Sequence, residues 1–310
     1  MKKEIQVKQT SWLYAIKTII MLFILSLLIV FSLSFFIEAE PIGNIAEIPI
    51  TGYILVEGSS GFGRQDTFSE DTVKIIDKVA KNPSIKGILL NINSGGGSPV
   101  ASKEIADAIK RANKTTVAVI REVGASGAYW VASASDHIIA NEMSITGSIG
   151  VISSYLEFGG LLERYNITYQ RLVGGKFKDI GTPFKDLTSV EREILQKKID
   201  KIHTYFIEAV AENRNISIEK TKSVATGEFF LGFEAVELDL IDEIGGIETA
   251  KEYLKKELNL TSVTLAKYER PTGFAELFGG IFSEYFFYIG KGIGSELFEI
   301  RKSNKLEITT

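Results

Sequence analysis

The sequence has no cysteine among its 310 residues, which excludes disulfide bonds, a thiol nucleophile and metal sites built on thiolates. Only two histidines occur, His137 and His203, so a histidine-rich metal site is excluded as well. The net charge is −4 and both signs are intermixed along the chain, which indicates no nucleic-acid surface. The remaining composition, 45% hydrophobic and 24% charged, is typical of a globular protein.

Charge is also missing from residues 18–37, a run of twenty residues that follows a basic segment at 1–17. Its length matches the hydrocarbon core of a bilayer, which is ~30 Å thick. Because lysines precede the run and acidic residues follow it, the pattern predicts a transmembrane signal anchor at the cell membrane, with a cytoplasmic N-terminus and an extracytoplasmic main domain. A cleaved signal peptide is the alternative, but its apolar region usually has about 7–15 residues, and no clear cleavage site is present.

After residue 45, apolar runs typical of buried strands alternate with stretches of helical periodicity. The predicted strands are at 46–56, 86–92, 115–120 and 136–140, and the predicted helices at 70–80, 100–112, 128–134, 189–214, 219–225, 232–238 and 247–258. Ser189 is the expected N-cap of the helix at 189–214. This alternation predicts an α/β domain with a mostly parallel sheet, which we place at 45–256. In the remaining extension, 257–310, the apolar and aromatic stretch 274–298 is expected to lie on a membrane surface or between subunits.

Ser126 stands between the strand at 115–120 and the helix at 128–134, inside the sequence Gly-Ala-Ser-Gly-Ala-Tyr. Its small neighbours leave the hydroxyl free of bulk, and the start of a helix favours negative charge. These are the requirements of a serine nucleophile. A tight turn that needs small residues would explain the same pattern.

Three successive glycines, Gly95, Gly96 and Gly97, follow the strand at 86–92. Such a loop can cradle a phosphate or direct backbone N–H groups at an oxyanion, and it can also be a plain turn. The sequence lacks the Lys-Ser/Thr pair of a P-loop and has no G-x-G-x-x-G pattern. A second glycine-punctuated stretch, 143–153, contains Gly147 and Gly150, where the backbone could approach another group closely.

A serine nucleophile needs a base that accepts its proton. His137 lies in a short strand-like run, and His203 lies in a helical stretch among apolar and aromatic residues, so structural roles suit both. A lysine is a base only when burial or a like charge lowers its pKa from about 10.4. The residue pattern alone does not choose among the lysines.

Several motifs occur in the same order as in the signal peptide peptidase A family. They lie at 93–98, 124–129, 145–151, 175–178, 224–228, 232–235 and 240–246. Over 45–256 the chain resembles this family of membrane-anchored Ser-Lys serine proteases, which are related to the Clp protease and crotonase folds. The resemblance implies an α/β fold of repeated ββα units after one N-terminal transmembrane helix.

Matched residue by residue, the family implies Ser126 as nucleophile and Lys178 as general base, 52 positions later. It implies that Ser148 orients this lysine, and that backbone N–H groups of Gly96 and Gly127 form the oxyanion hole. The expected lining of the substrate cleft is Ile92, Ile145, Gly147, Ile149 and Val151.

The match to the family is ambiguous at one position and departs from the usual residue at two others. Lys176 competes with Lys178 as base, because residues two apart share one face of a strand, and only the correspondence of 175–179 favours Lys178. Gly95 stands where the family usually has proline, and Ala128 where it usually has a second glycine. These departures concern the geometry of the loops rather than the class of enzyme.

The resemblance implies an endopeptidase that degrades cleaved signal peptides or other membrane-associated polypeptides. It implies a homo-oligomer at a lipid bilayer, with no metal, no organic cofactor and no nucleic-acid partner. A protease that processes stomatin-like membrane partners would share this chemistry. A crotonase-fold acyl-CoA enzyme would use the glycine loops without Ser126 and Lys178, and an inert membrane scaffold would be insensitive to changes at either residue.

Overall fold

The computed structural model describes residues 2–36, 41–58 and 65–269 and divides the chain into two compact units, Met1–Ile42 and Gly43–Thr310. In the first unit, α1 runs from Lys2 to Phe36. Across the three described ranges, no helix combines the length and apolar character needed to cross a membrane. The predicted membrane span at 18–37 is therefore not confirmed.

The second unit is an α/β domain. Its strands are β1 Ile45–Leu55, β2 Thr67–Phe68, β3 Gly87–Gly97, β4 Thr115–Ala125, β5 His137–Ala140, β6 Ile145–Gly147, β7 Phe229–Leu231, β8 Glu243–Ile244 and β9 Leu265–Lys267. Its helices are α2 Ser69–Lys81, α3 Pro99–Ala112, α4 Gly127–Ser133, α5 Gly159–Arg164, α6 Ser189–Arg214, α7 Ile218–Val224, α8 Gly232–Glu237 and α9 Ile247–Glu257. The predicted strands and helices are all present, with ends that shift by a few residues.

The described strands form one sheet with the order β2-β1-β3-β4-β5-β8, and every neighbouring pair along this path is parallel. Strand β6 pairs with the end of β4, β7 is antiparallel to β6, and β9 is parallel to β1. The predicted α/β class with a mostly parallel sheet is thus confirmed.

Alternate residues of the central strands enter two separate cores. Ile88 and Leu90 of β3 pack in the larger core with α2, α3 and α6, whereas Leu89 packs in a smaller core with α9. Burial on both faces explains why β3 and β4 are continuous apolar runs instead of alternating ones. The two layers hold the carboxyl ends of the strands in a fixed arrangement, and the candidate site lies at these ends.

Three details differ from the sequence-based predictions. Strand β3 continues through the glycine loop to Gly97, because Gly96 and Gly97 pair with Tyr53 and Ile54 of β1. Ser189 is not the N-cap of α6: Thr188 is, since its hydroxyl accepts a hydrogen bond from the Glu191 amide at 3.2 Å. The sheet also extends past residue 256 through β9, and the aromatic stretch 274–298 lies outside the described residues.

Candidate active site

The register of the sheet brings three of the sequence motifs together. Ser94 of β3 is opposite Gly124 of β4, and Gly124 is opposite Thr146 of β6. The Thr146 hydroxyl donates a hydrogen bond to the Gly124 carbonyl at 2.9 Å, which adds to the pairing of β6 with β4. Because carboxyl ends of parallel strands meet at one edge of a sheet, motifs that are far apart in sequence surround the residue that follows β4, Ser126.

Ser126 has a backbone conformation that non-glycine residues rarely adopt, with φ 53° and ψ −126°. Such a conformation costs about 1–3 kcal/mol and is maintained only where the surroundings enforce it. Its amide donates to the Gly147 carbonyl at 2.8 Å, and the Trp130 amide donates to its carbonyl at 3.0 Å. Among the described residues, the half-buried side chain has no hydrogen-bond partner. The hydroxyl is therefore available to react.

Helix α4 supplies the rigid support behind Ser126. All seven of its residues are buried. The Tyr129 hydroxyl donates to the Leu240 carbonyl at 2.8 Å, and the Trp130 ring stacks on Phe206 of α6 with 4.6 Å between centroids. The small residues of the motif permit this close packing, so the helix that follows the serine is fixed by the core.

Gly96 and Gly127, the predicted oxyanion-hole residues, are in direct contact. Gly96 has φ +97°, and a Cβ atom on it would lie 2.6 Å from the Gly127 nitrogen, so only glycine fits. The Gly127 N–H is the first of α4, for which helix geometry offers no intrahelical acceptor. The Gly96 N–H, in contrast, donates to the Ser94 hydroxyl at 3.1 Å, and Ser94 in turn donates to the Gly52 carbonyl at 2.6 Å.

Ser148 lies directly after the β6 residue that contacts Ser126. Its φ of 49° is also in the left-handed region. Its amide donates to the Glu228 carbonyl at 2.9 Å, and its hydroxyl donates to the Gly227 carbonyl at 3.1 Å. Sequence reasoning noted the motif at 224–228 without assigning it a role. The structure shows that this turn holds Ser148, and the only sequence signal was the glycine at 227.

Lys178 is not in this cluster. It is exposed on a turn within residues 151–187, a segment that we call the arm and that contains no buried residue. Within the described ranges its side chain has no hydrogen bond or ion pair, so the single chain does not bring it into contact with Ser126 or Ser148. The Lys176 ammonium, two positions earlier, lies 5.1 Å from the centre of the Phe177 ring.

An ion pair joins Asp179, in the turn that carries Lys178, to Arg171. Arg171 Nε and Nη2 donate to the two carboxylate oxygens of Asp179 at 2.6 and 2.7 Å. This paired hydrogen bond is the main reason why the pKa of Asp179 falls from 3.8 to about 2. Asp179 is therefore ionised over the whole physiological range and is a weak base there.

The remaining predicted site residues are placed as follows. Ile92 and Ile149 are fully buried, Gly147 is buried, and Ile145 and Val151 are partly accessible. Their role in binding substrate stays a prediction.

Neither histidine bonds to Ser126. His137 stacks on Tyr253 and lies 3.2 Å from a Glu243 carboxylate oxygen, while His203 Nε2 is 3.1 Å from the Ile149 carbonyl oxygen. Both therefore have structural partners, as expected from their sequence context.

The sequence profile of peptidase family S49 matches residues 108–261 of the chain. A protein named as a protease in Methanocaldococcus jannaschii is 36% identical over 253 residues, which are 80% of each chain. A protein named as a signal peptide peptidase in Enterococcus faecium is 34% identical over 237 residues, 75% of this chain and 69% of that one. Protease 4 of Haemophilus influenzae is 29% identical over 220 residues, 70% of this chain and 35% of that one.

The parallel α/β fold and the match to known peptidases define this protein as a serine peptidase. The chain belongs to peptidase family S49, the family of signal peptide peptidase A.

Proposed function

We propose that the protein is a membrane-anchored endopeptidase in which Ser126 is the nucleophile and Lys178 the general base. The observation that carries this proposal is the backbone of Ser126, which is held at φ 53° while its hydroxyl has no partner among the described residues. Strain of this kind is maintained where a reactive group must be presented in one orientation. The finer fold we propose is the Clp/crotonase type of repeated ββα units, with which the successive parallel strands β1, β3 and β4 agree.

In the proposed mechanism, neutral Lys178 accepts the proton of the Ser126 hydroxyl as its oxygen attacks a peptide carbonyl carbon. The Gly127 N–H, together with the Gly96 N–H once it leaves Ser94, donates to the resulting oxyanion. Protonated Lys178 then gives its proton to the leaving amine, and an acyl-enzyme remains. A water molecule, deprotonated by Lys178, attacks the ester and releases the acid, and Ser126 regains its proton.

A homo-oligomer accounts for the exposed position of Lys178. The arm exposes many apolar side chains, including Leu172 at 97%, Ile152 at 85% and Leu156 at 75% exposed. Exposed apolar side chains in such number are typical of a protein or membrane contact. In the proposed assembly the arm packs on a neighbouring copy of the chain, its apolar side chains become buried, and the lysine enters the desolvated environment that a neutral base requires.

The uncharged run at 18–37 supports the proposal of an N-terminal anchor, with the main domain outside the cytoplasm. Most of this run lies in α1, where large apolar side chains such as Ile20, Phe23 and Leu28 are exposed. An anchor would keep the enzyme near cleaved signal peptides and other membrane-associated polypeptides, the substrates that we propose. The name of the Enterococcus faecium relative agrees with this choice.

The proposal is tested by hydrolysis of a fluorogenic peptide with small apolar residues before the cut, using the full chain in detergent. We expect Ser126→Ala and Lys178→Ala each to lower kcat by at least about 10³-fold, because each removes one member of a nucleophile–base pair. Lys176→Ala is the matched control, since it removes another exposed lysine two positions away, and it should retain near wild-type kcat.

Hydrolysis that persists in Ser126→Ala would contradict the mechanism. Loss of activity in Lys176→Ala with retention in Lys178→Ala would assign the base to the other lysine. Wild-type protein that cleaves no peptide but binds or converts an acyl-CoA would favour the crotonase alternative instead.

A further inference from the structure

The turn that presents Lys178 lacks the support that fixes Ser126. None of the residues 151–187 is buried in either core, and the arm contains only one short helix, α5, at its beginning. A lysine side chain on such a turn loses substantial rotamer and backbone entropy when it is confined to one catalytic geometry. Some other contact has to restrict the turn, and the described residues contain one.

Arg171 contacts the turn on both sides of Lys178. Its guanidinium donates to the Lys176 carbonyl at 3.0 Å and to both oxygens of Asp179 at 2.6 and 2.7 Å. The turn has its own backbone bonds as well, from the Lys178 amide to the Gly175 carbonyl at 3.1 Å and from the Thr182 amide to the Asp179 carbonyl at 3.0 Å. The planar fork of arginine fixes direction as well as distance, which an ammonium group does not.

Further charged contacts connect the Arg171–Asp179 ion pair to the body of the domain. Lys185 lies 3.7 Å from Asp179 and 2.7 Å from Glu191, whose side chain is 5% exposed at the start of α6. Glu191 also accepts hydrogen bonds from the Thr188 amide and hydroxyl, both at 2.9 Å. Helix α6 reaches the large core through Phe206. A chain of charged contacts therefore connects the turn to an element that packing holds in place.

We infer that Arg171 and Asp179 are positioning residues for the general base, and that their paired contact holds the turn so that Lys178 is presented in one orientation. The inference rests on the proposed function, because it takes Lys178 as the base. It also assigns a second effect to the pair: the Arg171 guanidinium offsets the negative charge of Asp179, the residue that follows Lys178 in the chain. The other charged or titratable groups near the pair are Lys176, Lys185, Glu191 and Tyr169.

Two variants of the full chain in detergent separate positioning from general structural damage. Asp179→Asn and Arg171→Gln should each lower kcat at least about tenfold with KM changed less than about twofold, since misplacement of a catalytic group acts on the chemical step. The acid limb of the pH profile of kcat/KM should move in opposite directions in the two variants. Arg171→Gln leaves the Asp179 carboxylate, in the residue next to the base, with only its longer contact to Lys185, and moves the limb to higher pH. Asp179→Asn leaves the Arg171 charge without its carboxylate partner and moves the limb lower, each shift being roughly half a pH unit.

Arg171→Lys keeps the charge but loses the fork, so it should lower kcat without moving the acid limb. Glu193→Gln is the control, because it breaks the exposed Lys197–Glu193 pair of α6 away from the turn and should change neither quantity. A wild-type kcat in Asp179→Asn would overturn the inference. So would acid limbs that move in the same direction in Asp179→Asn and Arg171→Gln.

The two proposals fail in distinguishable ways. If Lys178→Ala is inactive and the Arg171 and Asp179 variants are unaffected, only the positioning role is wrong. If Lys178→Ala remains active, the base assignment itself is wrong.

Discussion

Gly127, the residue after Ser126, has no room for even one additional carbon atom. A Cβ atom on Gly127 would lie 2.3 Å from the Ser102 hydroxyl oxygen and 3.4 Å from the Ser102 Cβ. Ser102 is fully buried on α3, and its hydroxyl donates to the Ser98 carbonyl at 2.9 Å, so it cannot move aside freely. The residue is therefore restricted to glycine by the neighbouring helix and not by its own φ.

We predict that Gly127→Ala destabilises the domain by about 1–3 kcal/mol, the usual cost of overpacking, and lowers peptidase activity. Because the clash is with the hydroxyl oxygen, the double variant Gly127→Ala/Ser102→Ala should recover most of the loss relative to Ser102→Ala alone. Urea denaturation of the four proteins in this cycle measures both effects. Equal destabilisation by Gly127→Ala with and without the Ser102 hydroxyl would show that the contact is not responsible.

At the residue scale, the strand and helix patterns that meet at Ser126 predicted its place at a strand-to-helix turn, and the structure has it there. The sequence could not locate the bond from Gly96 to Ser94, since that bond depends on where one hydroxyl points at the end of β3. Nor could it assign the contact between Ser148 and Gly227, which are 79 positions apart and meet only because β6 pairs with β7. Such contacts follow from tertiary register and leave no local pattern.

The element that connects the arm to the core is the N-terminus of α6, and its stability should depend on pH. The hydrogen bond from Lys185, followed by those from the Thr188 amide and hydroxyl, lowers the pKa of Glu191 from 4.5 to about 2. The folded state therefore favours the carboxylate form. Its stabilisation is complete above pH 4.5 and is lost as the pH falls towards 2, because the unfolded chain binds the proton first.

We predict that Glu191→Gln is less stable than wild type at neutral pH, and that the difference in Tm shrinks between pH 4.5 and pH 2. Thermal unfolding across this range, followed by circular dichroism, provides the measurement. Glu193→Gln, which alters an exposed pair in the same helix, should show a much smaller difference at every pH. A Glu191→Gln difference that is constant with pH would contradict the role of its ionised form.

At the element scale, periodicity predicted the strands and helices well, because each long element has a strongly apolar face or run. The ends were less accurate. The prediction of Ser189 as N-cap was wrong: the preceding Thr188 is also a capping residue type, and Glu191 three residues after it completes a capping box. The predicted end of β3 was too early, because successive glycines ordinarily indicate a loop. Here pairing with β1 keeps the chain extended as far as Gly97.

For the whole molecule, the sequence predicted the parallel α/β class but not the isolation of Lys178 from the serine cluster. Spacing along the chain does not report how residues pack in three dimensions, and none of the residues of the arm is buried in the domain. Its exposed apolar side chains are the structural reason for the proposed homo-oligomer.

We predict that Leu172→Asp and Ile152→Asp in the arm shift the full chain in detergent to a smaller species and lower activity together, since both side chains become buried in the proposed assembly. Sedimentation velocity and peptide hydrolysis on the same samples test this. Ile218→Asp is a matched control, because it adds the same charge to an exposed apolar position outside the arm. Full activity from a monomeric Leu172→Asp protein would show that the site is complete within one chain.

The most direct test of the Ser126–Lys178 assignment is covalent labelling of the full-length protein in detergent with a fluorophosphonate, followed by peptide mapping. The reagent phosphonylates an activated serine hydroxyl as fluoride leaves, so the labelled residue and the rate report the nucleophile and its base. We predict a single label on Ser126 that is absent in Ser126→Ala, forms at least about a hundredfold more slowly in Lys178→Ala, and forms at the wild-type rate in Lys176→Ala. A label on another serine, or an unchanged rate in Lys178→Ala, would contradict the assignment.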